Sequence, residues 1–142
     1  MLKTTPAGIA AHLHTMATDL DDHGIWTGGP AFVDAATGRL DIPAAAYRAV
    51  TGTLPFLFYV ATPDGADAAR IHFEINPAVL AVLDAIAAHM ATVRPDADWL
   101  DDPIERLSLW PDLLGVDVAE ITQTLRDLAD TLAAPAAEPV AA

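Results

Sequence analysis

Acid–base or metal chemistry would show first in histidines and carboxylates set at a productive spacing, and this chain offers few such placements. Asp19-Leu20-Asp21-Asp22-His23-Gly24 opens like a calcium loop, with oxygen donors at positions one and three and glycine at position six. Position five is then His23, a poor ligand for a hard cation, and position twelve is Pro30, where a bidentate Glu is required. The segment reads instead as a solvated, acidic helix end, placed unfavourably for the helix dipole. Asp19 and His23 share a face at i, i+4, which describes a surface pair before it describes a two-ligand metal site. None of His12, His14, His23, His72 and His89 pairs with another at the i, i+4 spacing of a helical zinc motif.

His72 and Glu74 would form an acid–base pair only if residues 70–75 were a strand, because residues two apart then face the same side. Ser108 is the sole serine, lies between Leu107 and Leu109 in a helical stretch, and reads as structural, not as a nucleophile on a strand–turn–helix elbow. Gly28-Gly29-Pro30 has neither the Lys-Ser/Thr of a phosphate loop nor dinucleotide-site spacing, so it reads as a turn. No catalytic residue, no metal site and no cofactor is expected. Trp26, Trp99 and Trp110 stand near loops or helix ends, where an indole either plugs a small core or anchors a partner. They are the candidate partner-binding residues.

Composition narrows the field from the other side. With no cysteine, disulfides, thiolate nucleophiles, iron–sulfur clusters and cysteine-ligated zinc are excluded. The formal charge of −13 repels phosphate backbones and anionic lipid headgroups, so direct nucleic-acid binding and membrane attachment are not expected. Sixteen of the acids are Asp and four are Glu, and six of the seven basic residues are Arg, a pattern that fits a GC-rich coding bias as readily as a functional acidic surface. The acidic run Asp96, Asp98, Asp101 and Asp102 is the densest candidate for such a surface. Lys3 is followed by an amphipathic stretch and not by an apolar h-region, so no secretory signal is read and a cytoplasmic placement is expected. The most apolar run, Leu54 to Ala61, falls far short of the roughly 20 residues of a membrane span.

The elements behind these residues are mostly helical. Thr5-Pro6 reads as cap and first helical position, and Ile9, Leu13, Met16 and Leu20 then recur at helical spacing until Gly24 ends the run. Gly28, Gly29 and Pro30 break the chain before a short hairpin or tight loop around Ala35-Ala36-Thr37-Gly38, whose Phe32, Val33 and Leu40 must pack onto the helices. Pro43 opens a short helix that Gly52 stops. Phe56 to Val60 is ambiguous: its aromatic and β-branched content favours a strand, which could pair with residues 70–75 across Thr62-Pro63-Asp64-Gly65. The alternative, favoured for 66–75, is a helix with Ala68, Ile71 and Ile75 on one face.

Asn76-Pro77 starts a strongly apolar helix through Val79, Leu80, Leu83, Ile86, Ala87 and Met90, closed by Pro95. Ile104, Leu107 and Trp110 mark buried turns. Asp117 and Glu120 form a variant capping box for a last helix carrying Ile121, Leu125, Leu128 and Leu132. The fold expected is mainly α: a compact bundle of about five helices with a small β-hairpin or loop after the first, one domain over residues 1–134, and a disordered Ala/Pro tail over 135–142.

Three stretches resemble a family of small uncharacterised helical proteins common in actinobacteria and their plasmids and phages. Gly24-Ile25-Trp26-Thr27-Gly28 looks like that family's Gly-Trp-x-x-Gly entry with Ile25 inserted. Thr37-Gly38-Arg39-Leu40-Asp41-Ile42-Pro43-Ala44-Ala45-Ala46-Tyr47-Arg48-Ala49-Val50-Thr51-Gly52 is the most similar part. Ile104 to Asp112 and the helix from Val118 look like the family's Ile-x-x-Trp-Asn-Asp and final helix, with Pro111 in place of the Asn. The resemblance spans most of residues 10–132, implies one helical domain with signature positions at Trp26 and Trp110, and brings no established activity.

The function expected is therefore a protein-interaction or mobile-element accessory module with a protein partner. An acidic mimic of nucleic acid, occupying a partner's basic groove, is the alternative, and an enzyme without a recognisable motif comes last.

Overall fold

Thr5 and Pro6 begin the first helix as their chemistry requires. The Thr5 hydroxyl accepts the Gly8 N–H at 3.0 Å, and Pro6 fills a position whose N–H has no helical partner. In the computed structural model, which describes residues 5–26, 31–93, 104, 107, 108, 110, 111 and 115–134, this helix α1 spans Pro6–His23. Gly24 closes it at φ 85°, a conformation costly for any residue with a Cβ, and its N–H reaches the Leu20 carbonyl. Ala10, Leu13, Met16, Ala17 and Leu20 are buried along one stripe.

Beyond Gly24 no ladder forms among the described residues. Leu40 makes single-residue bridges to Ile25 and to Val33, while the Phe32 and Val33 N–H groups both go to the Phe58 carbonyl. Asp34 N–H to the Arg39 carbonyl and Asp41 N–H to the Phe32 carbonyl flank the antiparallel Val33–Leu40 bridge, so the turn at 35–38 closes a minimal one-bridge hairpin too short for a ladder. Its Phe32, Val33 and Leu40 are buried, as their types require.

Asp41 caps α2 (Ile42–Thr51), and Gly52 in the left-handed region ends it. Residues 56–60 are not a strand: Phe56–Tyr59 is a 3-10 turn, η1, held by bonds from Phe58 N–H to the Pro55 carbonyl and from Val60 N–H to the Leu57 carbonyl. The strand partner they would need is itself a helix. Thr62-Pro63-Asp64-Gly65 is the capped first turn of α3 (Pro63–Glu74), not a hairpin turn, with the Thr62 hydroxyl accepting the Gly65 N–H.

Helix α4 (Pro77–Val93) contributes Val79, Val82, Leu83, Ile86, Ala87 and Met90 to the core. Ile104, Leu107 and Trp110 are buried on helical backbone. Asp117 accepts the Glu120 N–H at 2.9 Å and opens α5 (Val118–Ala133). Among the described residues these five α-helices make a mainly α bundle. α1 packs most extensively on α5 and also meets α2 and α4, whereas α3 packs on η1 and α4. Among the described residues no single helix is long and apolar enough to cross a membrane, and α3 and α4 meet at a 100° bend.

Candidate functional site

The acidic end of α1 is occupied from neighbouring helices. Arg48 on α2 lies 3.8 Å from Asp19 through Nε, and its other arm is 3.3 Å from His23 Nε2. Arg126 on α5 donates to Asp21 at 2.6 Å, and this guanidinium holds the Asp21 carboxyl below its usual value. Two of the carboxylates that opposed the helix dipole, Asp19 and Asp21, are thus answered by arginines that tie α1 to its neighbours. Among the described residues no group of three or more His, Asp and Glu side chains could hold a metal ion.

The conditional acid–base pair does not assemble. On helical α3, residues two apart diverge. Glu74 is exposed, while His72 is edge-on to the rings of Tyr47 and Phe58. His72 therefore borders an aromatic cluster in which Phe58 stacks on Phe73 at 5.0 Å and Phe32 packs against both.

Of the tryptophans, Trp110 is 1% exposed and sits in the core, which corrects its assignment as a partner contact: an indole without solvent access anchors the fold. Trp26 is half-buried, and its indole N–H donates to the Ala31 carbonyl at 3.0 Å, closing the loop after α1 while leaving part of the ring accessible. Trp99 and the acidic run Asp96, Asp98, Asp101 and Asp102 lie outside the described residues, as does the tail 135–142.

Asp41 was not singled out by sequence. Its side chain is buried, with Oδ1 accepting the Ala44 N–H at 2.8 Å and Oδ2 accepting the Ser108 hydroxyl at 3.1 Å. Burial pushes its carboxyl well above the usual value, against the pull of those two donors. The Asp before Ile42-Pro43 is a legible cap signal, but nothing local predicts that Ser108 closes over it. Ser108 stands on helical backbone, and its hydroxyl is engaged by Asp41.

The other missed feature is apolar and exposed. Phe56 is 79% exposed, Ile75 70%, Ile71 54% and Tyr59 37%, all on η1, α3 and the residue that follows α3. Large apolar side chains standing in water on adjoining elements mark a contact surface more often than scattered single ones do. Phe56 and Tyr59, three apart on a 3-10 turn, point the same way, and Ile71 and Ile75 share a face one helical turn apart. Helix α3 thus has two apolar faces: Ala69 and Phe73 are buried, while Ala68, Ile71 and Ile75 face solvent. No family model, no curated protein and no solved structure matches the chain.

Proposed function

We propose that the protein is a small interaction module that binds another protein through the outward surface of η1 and α3. The observation carrying this reading is the exposure of Phe56, Tyr59, Ile71 and Ile75 on adjoining elements, while the same segment's Phe58 and Phe73 are buried. The exposed parts of Phe and Ile side chains raise the risk of aggregation unless something covers them. Trp26, with part of its ring accessible, is a second and smaller contact candidate, and its resemblance-based signature position fits either role.

Affinity capture from the cell's own lysate, at low and high salt, tests the reading when run beside a variant carrying Phe56→Ser, Ile71→Ser and Ile75→Ser. The expected result is a stoichiometric partner held by the native chain at both salts and lost by the variant. A partner held equally by both proteins overturns the use of this surface. One released by salt alone favours an acidic mimic occupying a basic groove.

A further inference from the structure

The outward face of α3 is not only apolar but edged by an excess of carboxylates. Ala68, Ile71 and Ile75 form its stripe, and helical spacing sets Asp67 and Glu74 two turns apart along one edge, both exposed, with half-buried Arg70 between them along the axis. Asp64, also exposed, heads the stripe at the first turn. Asp64 suits the helix N-terminus, but Glu74 stands in the last turn of α3, where the helix dipole disfavours a carboxylate. Arg70 is the one Lys or Arg of α3, so three carboxylates against one guanidinium leave this edge net negative.

Resting on the interaction reading above, we infer that the element seated on α3 is a cationic amphipathic helix, its apolar stripe on Ile71 and Ile75 and its Lys or Arg side chains along Asp67 and Glu74. Helix-on-helix recognition of this type uses apolar anchors at i and i+4 for affinity and flanking charge for orientation and partner choice. A second copy of the chain is disfavoured by the same chemistry, since it presents Asp64, Asp67 and Glu74 again and belongs to a protein of charge −13. Anionic membranes and nucleic acids are repelled for the same reason.

Two synthetic 18-residue helical peptides with an identical leucine stripe, one edged with lysine and one with glutamate, test the inference by fluorescence anisotropy and by amide chemical-shift mapping on the full chain. The lysine-edged peptide is expected to bind and to shift amides of residues 64–75. Ile71→Ser with Ile75→Ser should weaken it tenfold or more, and Asp67→Asn with Glu74→Gln several-fold with a flatter salt dependence. All four positions are solvent-facing, and circular dichroism checks that each variant is folded.

Equal or better binding of the glutamate-edged peptide, with the isoleucine dependence kept, overturns the cationic partner and leaves the apolar docking surface standing. Lysine-peptide binding indifferent to Ile71 and Ile75 overturns both, because attraction to a −13 chain then explains it. Binding of neither peptide overturns the inference. A dimer by sedimentation that Ile71→Ser with Ile75→Ser dissolves overturns it in favour of self-association.

Discussion

Helices α1 and α5 spend their apolar residues differently from η1 and α3. On α1 the buried stripe faces its neighbours, and two carboxylates outside it are paired across the helices, Asp21 with Arg126 and Asp19 with Arg48. On α3, Ala69 and Phe73 go inward while Ile71 and Ile75 go to water. The first arrangement closes a structure, and the second leaves a surface open. The bundle thus has one part whose apolar stripe is covered and another that leaves large apolar side chains in water.

The contrast breaks first at its strongest point. Leu13→Ala removes a fully buried side chain of α1 and should cost about 2–5 kcal/mol in urea unfolding. A cost near zero would mean that the α1 stripe does not seal the core.

On the other side, Gly65→Ala drives a Cβ into the side chain of Val60, between η1 and α3. We expect a loss of about 1–3 kcal/mol. It should be accompanied by faster amide exchange in α3 and little change in α5; uniform change in both helices would show that the two parts are one cooperative unit.

Asp41 sharpens the comparison through pH. Its carboxyl titrates higher in the folded chain than in the unfolded one, so its contribution is fully present below the unfolded value of about 3.8 and is lost as pH rises through the folded value. Asp41→Asn keeps a capping side chain and removes the charge. The variant should match the native protein near pH 3 and grow relatively more stable as pH rises, as read by the difference in their urea midpoints. A pH-independent difference would mean that the buried carboxyl does not titrate anomalously.

Arg126→Ala carries the smallest effect. The pair with Asp21 is about a third exposed on each side, so solvent screening limits the loss to under about 1 kcal/mol. Because the Asp21 carboxyl is lowered in the folded chain, that stabilisation is present above its usual value and fades as pH falls through the folded one. A loss equally large at pH 2 would assign it to packing of the arginine stem instead.

Elements whose signals are local were legible in the sequence. Thr5-Pro6, Asn76-Pro77 and Asp117 with Glu120 announce helix starts by the bonds that their own side chains make, and the structure has each of them. Phe56 to Val60 was not legible as η1, because the same residues suit a strand until Phe32 and Val33, more than twenty positions away, claim the Phe58 carbonyl. The exposed stripe was visible as Ala68, Ile71 and Ile75, but periodicity does not say which of two apolar faces goes inward. Trp110 near Pro111 looked like a contact for the same reason: sequence marks a large aromatic near a helix end without marking which way it turns. Asp41 shows the limit most plainly, since its cap is local and its second donor is a residue 67 positions on.

The pairing of the first helix with the last also has a consequence for synthesis. The partner that seals α1 lies far along the chain, as the 105-residue separation of Asp21 and Arg126 measures. At about 5–20 residues per second, the growing chain waits on the order of ten seconds before α5 is made. Through that interval Leu13, Met16 and Leu20 have no α5 to cover them, so the nascent protein exposes an apolar helix that the finished one hides.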